Sequence, residues 1–120
     1  MTINALAGIA VKDLAAALPW YERLLDRSPD ARPMSEVAEW KFDGGGWIQV
    51  FEDPQRAGRS SVTLVERDLD ERLSDLDAKT IEIRNATDAD SVRTAIVDDP
   101  DGNQLVFAQS VGNAIESSSS

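Results

Sequence analysis

Aromatic and amide side chains near the middle of the chain have the chemistry needed to hold a flat organic molecule. Trp40 lies before the turn-forming residues DGGG (43–46), and Trp47, Gln49 and Phe51 follow them. Indole and phenyl rings stack on planar ligands and attract cations, each contact contributing about 0.5 to 2 kcal/mol. An amide between the rings can orient a polar group of the ligand. The sequence leaves open the alternative that the two tryptophans only fill the sheet or a subunit interface.

The chain contains neither histidine nor cysteine. This composition excludes cysteine nucleophiles, thiolate zinc sites, Ser-His-Asp triads and His-ligated metal ions. Catalysis would have to come from carboxylates, lysine, arginine, tyrosine, hydroxyls or amides. Glu39 and Glu52 are interpreted as solvated side chains, and Tyr21 as a packing residue. The catalytic residues, if there are any, are therefore left unassigned.

The charge of the chain limits its partners. Asp and Glu number 22 against 12 Lys and Arg, which gives a formal net charge of -10. A surface of this sign repels nucleic acid and anionic membranes, so neither is expected as a partner, and cationic small molecules are favoured. The alternative is that the acidity only keeps the protein soluble. No apolar run approaches the roughly 20 residues of a membrane helix, and a cytoplasmic location is predicted.

The first half of the chain has the pattern strand, helix, hairpin. Residues 3–11 alternate as in a strand, and an apolar helical stripe follows Asp13. The stripe consists of Leu14, Leu18, Tyr21 and Leu25. Pro19 interrupts it, so the regular helix either begins near Leu18 or is kinked there. Residues 36–42 and 47–52 alternate on either side of the glycine turn, which predicts a hairpin.

The second half repeats this order, with Asp68-Leu69 placed 55 residues after Asp13-Leu14. Asp68 has the type and position of a helix cap. Strands are predicted at 61–65, near 80–84, at 93–98 and at 105–109. The turn DDPDGN (98–103) joins the last two of them. The repeat predicts an α+β protein of two βαβββ units.

These units are expected at about residues 3–54 and 60–109, within a single domain over residues 1–110. Residues 111–120 end in four serines and are expected to form a flexible tail.

Three stretches resemble the vicinal oxygen chelate superfamily, which includes glyoxalases, bleomycin-resistance proteins and extradiol dioxygenases. They are GIAVKDLAAALPWYERLL (8–25), SVTLVERDLDERL (61–73) and DDPDGNQLVF (98–107). Members of this family curl each βαβββ unit into a half-open sheet, and two units enclose a pocket. The resemblance implies this half-open, curved sheet here, with the turn at 98–103 as part of the architecture. Small members of the family commonly dimerise through their open sheet edges, so the resemblance also implies a homodimer.

Metal-dependent members of the family usually place a histidine on the first strand of each unit and a glutamate on the last. By resemblance, the first-strand positions fall on Leu6 and Ser61, and the last-strand positions on Gln49 and Val106. A divalent cation needs charged or strongly donating ligands, and none of the four side chains is of that kind. We therefore expect no metal ion and no other cofactor.

Strand alternation indicates which side chains line the pocket. If the apolar residues of the inner strands face the helices, their neighbours turn towards the concave side, and Trp40 is expected to join them across the hairpin. The ligand-binding residues predicted in this way are Leu6, Trp40, Trp47, Gln49, Phe51, Ser61, Thr63, Gln104 and Val106.

Three functions are consistent with these features. The first is a metal-independent protein that binds a small planar or cationic organic molecule, with a role in resistance or sequestration. The second is a cofactor-independent isomerase or lyase that uses a pocket carboxylate as base, with Gln49 or Gln104 orienting a carbonyl group. The third is a metalloenzyme with relocated carboxylate ligands. The first is preferred because no carboxylate is expected on the concave face.

Overall fold

The computed structural model describes residues 1–88 and 92–110. The predicted tail at 111–120 lies outside these residues. The elements follow the order of two βαβββ repeats, which confirms the predicted α+β fold class. They are β1 (Leu6–Val11), α1 (Leu14–Leu25), β2 (Ala31–Met34), β3 (Val37–Lys41), β4 (Trp47–Glu52), β5 (Ser61–Val65), α2 (Leu69–Ala78), β6 (Asn85–Asp88), β7 (Val92–Asp98) and β8 (Gln104–Ser110).

Each repeat forms a sheet of four strands. The first sheet has the order β1-β4-β3-β2 and the second the order β5-β8-β7-β6. Residues 1–62 and 99–103 form the first compact unit, and the other described residues belong to the second. The turn between β7 and β8 is thus part of the first unit. The predicted domain limits, 1–110, stay a prediction.

The core of the first unit lies between α1 and one face of its sheet. The strand register places Ile9, Ile48, Val50 and Trp40 on that face, where all four are buried. Tyr21 of α1 is also buried, and its ring centroid lies 6.2 Å from that of Trp40. This contact identifies the face that α1 covers.

Helix α1 begins at Leu14, so the alternative of a start near Leu18 is wrong. The Asp13 carboxylate accepts a hydrogen bond from the Ala15 amide, and Glu52 accepts one from the Leu14 amide, each at 3.0 Å. Two amides of the first turn are thereby satisfied. Pro19 lies inside the helix and removes one backbone hydrogen bond, which these caps help to offset.

Helix α2 has the predicted cap, since Asp68 accepts a hydrogen bond from the Glu71 amide at 3.1 Å. Its C-terminal end explains why the strand predicted near 80–84 is wrong. Thr80 has a left-handed φ of 57°, and the Ile81 amide donates to the Leu76 carbonyl at 2.9 Å. This is the hydrogen bond of a Schellman motif, with Ile81 buried against the helix end. Residues 80 and 81 therefore end the helix, and the strand forms at Asn85–Asp88.

Neither helix of the described residues is long and apolar enough to cross a membrane.

Candidate functional site

The face of the first sheet that points away from α1 is here called the far face. The register arranges its side chains in three rows across β1, β4 and β3. Paired residues on neighbouring strands share a face, so each row lies on one side of the sheet. The rows are Leu6, Trp47 and Lys41; Gly8, Gln49 and Glu39; and Ala10, Phe51 and Val37.

The predicted residues of the first unit, with the exception of Trp40, meet on the far face. Trp47, Gln49 and Phe51 alternate with buried residues along β4 and are each half-buried. Leu6 is 45% exposed beside Trp47. The far face therefore presents an indole, an amide and a phenyl ring in a line, with apolar surface at one end.

Trp40 is not part of the far face, so the expectation that it joins Trp47, Gln49 and Phe51 there is wrong, while its role in ligand binding stays a prediction. It pairs with Ile48, is fully buried, and its indole N–H donates to the Arg27 carbonyl at 3.1 Å. Since neighbouring residues of a strand point to opposite faces, a difference of one residue in register moved it to the side of α1. Trp40 therefore packs in the core of the first unit, beneath α1.

Glu39 lies on the far face instead, and its interpretation as a solvated side chain is wrong. Only 9% of the residue is exposed, and Gln49 Nε2 donates a hydrogen bond of 2.7 Å to Glu39 Oε2. Alternation requires Glu39 and Trp40 to point to opposite faces, but only the strand register decides that Glu39 shares the face of Gln49. The site thus has a carboxylate that was not expected there.

Cations of the protein already cover both rings of the far face. Lys41 Nζ lies 4.2 Å from the ring centroid of Trp47, and the guanidinium carbon of Arg56 lies 5.3 Å from that of Phe51. Each contact uses the negative potential of one ring face. The attraction of each ring for a cation is therefore already used within the protein.

Small residues flank the polar pair at the centre of the far face. Gly8 lies next to Gln49 on β1, and Ala31 lies opposite Glu39 on β2. A Cβ atom at Gly8 would lie 3.1 Å from Cε1 of Phe51, so the phenyl ring extends over this glycine. The Phe51 ring therefore leans towards the row that carries the carboxylate and the amide.

In the second half of the chain, two of the predicted residues are exposed on β5 and two are half-buried on β8. The side-chain oxygen of Gln104 accepts a hydrogen bond from Arg84 at 2.7 Å, and Arg84 also pairs with Asp98. Gln104 is therefore engaged in a polar cluster at the strand end. A role in ligand binding stays a prediction for the four residues of β5 and β8, which are Ser61, Thr63, Gln104 and Val106.

The turn Asp99–Asn103 is held in the first unit by buried hydrogen bonds. Asp99 Oδ2 accepts from the Tyr21 hydroxyl at 2.6 Å and from Asn103 Nδ2 at 2.8 Å. Asn103 Nδ2 also donates to the Ala10 carbonyl at 2.7 Å, and its Oδ1 accepts from the Ser60 amide at 2.9 Å. These contacts are structural, in agreement with the interpretation of the turn as architecture.

Tyr21 makes this network measurable, because it is the only tyrosine of the chain. Burial, then the charge of Asp99 and the hydrogen bond to it, raises the pKa of Tyr21 well above its ordinary value of about 10. The unfolded chain loses this proton above about pH 10 while the folded chain keeps it, so stability falls as the pH rises beyond that point.

As the pH is raised through about 10, the ordinary pKa of tyrosine, we expect no tyrosinate absorbance from the folded protein. The absorbance should rise only at the pH at which circular dichroism shows unfolding. Tyrosinate appearing before unfolding would show that the Tyr21 hydroxyl is not held by Asp99. The Asp99→Asn variant is the control, since it removes the charge and should allow earlier ionisation.

The side chains at the family's metal positions do not suit a divalent cation. Leu6 and Val106 are hydrocarbons, Gln49 is bonded to Glu39, and Ser61 has only a neutral hydroxyl. Among residues 1–88 and 92–110, no group of three or more Asp or Glu side chains is arranged to hold a metal ion. The absence of a metal ion from this protein stays a prediction.

Comparison with known proteins identifies the family. A crystal structure of a glyoxalase/bleomycin resistance protein from Catenulispora acidiphila is 35% identical, with a TM-score of 0.82, and the match covers 90% of this chain and 98% of that chain. An antibiotic-binding protein from a Streptomyces species shares the fold at 19% identity, with a TM-score of 0.78 and coverage of 92% and 98%.

A bleomycin resistance determinant encoded on the transposon Tn5 also shares the fold, at 21% identity and a TM-score of 0.73, with coverage of 90% of this chain and 98% of that one. The curated proteins give no significant match. A family model described as Glyoxalase/Bleomycin resistance protein/Dioxygenase superfamily matches residues 2–107. The chain therefore belongs to the glyoxalase/bleomycin resistance protein/dioxygenase superfamily.

Proposed function

We propose that this protein binds a small planar or cationic organic molecule on the far face, without a metal ion, and so sequesters the compound or confers resistance to it. One observation carries the proposal: Trp47, Gln49 and Phe51 lie half-buried in a line on the same sheet face. Aromatic surface with a few fixed polar groups is typical of ligand sites. The antibiotic-binding and bleomycin-resistance proteins that share the fold support a role of this kind.

A second candidate is a cofactor-independent isomerase or lyase. The observation that favours it is the buried Glu39 carboxylate within hydrogen-bond distance of Gln49. Such a pair can accept a proton and orient a carbonyl group. Binding is preferred because the far face offers aromatic stacking surface and only this one buried carboxylate among the described residues of its rows.

The proposal retains the homodimer. The strand order leaves β2 at an edge of the first sheet, where most of its residues are exposed, and exposed edges favour pairing with a second chain. The cytoplasmic location also stays a prediction.

Calorimetric titration against planar and cationic aromatic compounds, with bleomycin among them, tests the proposal. We expect Trp47→Ala to weaken the binding of any ligand found by about tenfold or more, because stacking contributes about 1 kcal/mol beyond the buried area. Trp20→Ala is the matched control: Trp20 is also half-buried but lies on α1, so its loss should leave affinity unchanged. Absence of binding across the panel, or equal losses in both variants, would overturn the proposal.

A further inference from the structure

We propose that Glu39 selects the charge of the ligand, by accepting a hydrogen bond from a protonated amine or amidine attached to a flat ring system. The inference rests on the proposed function, since it requires a ligand on the far face. It moves the recognition of positive charge from the aromatic rings, where the sequence placed it, to a buried carboxylate.

The Glu39 carboxylate has fewer hydrogen-bond partners than it can accept. Glu39 is 9% exposed, and Gln49, a neutral amide, donates the single hydrogen bond that its side chain accepts within residues 1–88 and 92–110. In the same residues no lysine or arginine forms a salt bridge with it. A carboxylate has room for about four hydrogen bonds, and Glu39 Oε1, which accepts none within these residues, is not fully enclosed, so a donor group of a ligand can reach it. A cationic ligand supplies the missing partner.

The lysine and arginine side chains near Glu39 make their contacts elsewhere. Lys41, two residues along the same strand, lies over the Trp47 ring at 4.2 Å. Arg56 lies over Phe51, and the Nε of Arg32 donates to a backbone carbonyl at 3.0 Å. The protein's own positive charges thus cover the rings and the strand edge, while the buried negative charge between them lacks one.

The space beside Glu39 and its distance from the aromatic rings allow a ligand to contact both. Ala31, opposite Glu39, has only a methyl group, so a ligand amine can approach the carboxylate from that strand. Trp47 and Phe51 each lie two residues from Gln49, which corresponds to about 7 Å along β4. A ring stacked on either side chain can therefore carry its cationic group on a short linker to Glu39. Aryl and arylalkyl amines and amidines have this form.

Three probes with the same ring system test the inference: naphthylmethylamine, naphthylmethanol and naphthylacetate, titrated by calorimetry at neutral pH. We expect the wild-type protein to bind the amine about tenfold or more tightly than the alcohol, and the carboxylate most weakly. Glu39→Gln should reduce amine binding to the level of the alcohol and leave alcohol binding unchanged. The control is Glu36→Gln, because Glu36 is an exposed carboxylate next to the same strand and its loss should preserve the preference.

The outcomes separate this inference from the proposed function. Equal binding of amine and alcohol by the wild type, or a preference that survives Glu39→Gln, overturns the role of Glu39 and leaves ligand binding intact. Failure of every probe and every panel compound to bind overturns both. If Glu39→Gln does not fold, as judged by circular dichroism, Glu39→Asp replaces it: a carboxylate shortened by one carbon should lower amine affinity while alcohol affinity stays constant, and an unchanged preference contradicts the inference.

Discussion

Asn103→Ala is expected to lower the free energy of unfolding by about 3 to 5 kcal/mol, one of the largest effects of any single substitution in this chain. The side chain is fully buried and joins three parts of the first unit. Its removal breaks the hydrogen bonds to the Ala10 carbonyl, the Ser60 amide and Asp99. Each buried polar group left without its partner costs about 1 to 3 kcal/mol.

Urea unfolding followed by tryptophan fluorescence measures this effect. Asn85→Ala is the matched control, because Asn85 is an exposed residue at the start of β6 and its side chain should contribute less than about 0.5 kcal/mol. If Asn103→Ala and Asn85→Ala unfold at the same urea concentration, the buried hydrogen-bond network does not stabilise the protein.

Gly58→Ala is expected to destabilise the protein by about 2 to 4 kcal/mol, because the backbone geometry at this position does not accommodate a side chain. Gly58 has a φ of +85°, in the region that alanine rarely adopts, and a Cβ atom would lie 2.5 Å from the Asp101 carbonyl oxygen. The position of a Cβ atom is fixed by its own backbone and the contacted oxygen belongs to the backbone of Asp101, so relief requires movement of the turn. That turn carries the Asn103 side chain, and its displacement weakens the same hydrogen bonds.

Gly44→Ala provides the comparison for this substitution. A Cβ atom at Gly44 would meet no atom within 4 Å, and its φ lies outside the left-handed region. Its stability should stay within about 0.5 kcal/mol of the wild type. Thermal unfolding of the two alanine variants, measured side by side, checks the prediction, and equal melting temperatures would contradict it.

The repeat could be predicted from the sequence because local signals agreed with the final structure. Asp68 is followed by a leucine stripe, and the structure confirms it as the cap of α2. Alternation along β4 and β5 gave the correct faces for Trp47 and Val62, one half-buried away from α1 and the other buried. These signals are contained within single elements and do not depend on distant residues.

The faces of β3 could not be predicted with the same success, because they depend on pairing across a turn. Lys41 pairs with Trp47, so Glu39 pairs with Gln49 and Trp40 with Ile48. Two tryptophans close together in sequence suggested one shared site, and strand pairing separated them. Counting outwards from the turn at 43–46 pairs Phe42 with Trp47 and therefore Trp40 with Gln49. The observed pairing is shifted by one residue, which places Glu39 beside Gln49 and Trp40 in the core.

Tertiary contacts also decided where α1 begins and where the strand after α2 forms. The carboxylate of Glu52, 38 positions from Leu14, accepts a hydrogen bond from the first turn of α1. Ile81 had the apolar character of a strand residue but closes the end of α2 instead. Nothing near Leu14 in the sequence announces the Glu52 contact, so Pro19 suggested a later helix start. Nothing near Ile81 announces the helix end, so the alternating pattern at 80–84 suggested a strand.

The place of the Asp99–Asn103 turn in the first unit gives this protein a particular order of events during its synthesis. Translation proceeds from the N-terminus, and compact units generally fold as they emerge from the ribosome. When residues 1–62 have been made, the Ala10 carbonyl still lacks the donor that Asn103 supplies, and the Tyr21 hydroxyl still lacks the acceptor that Asp99 supplies. The half that is translated first is thus completed late, and a nascent chain interrupted before residue 99 would carry buried polar groups with no partners.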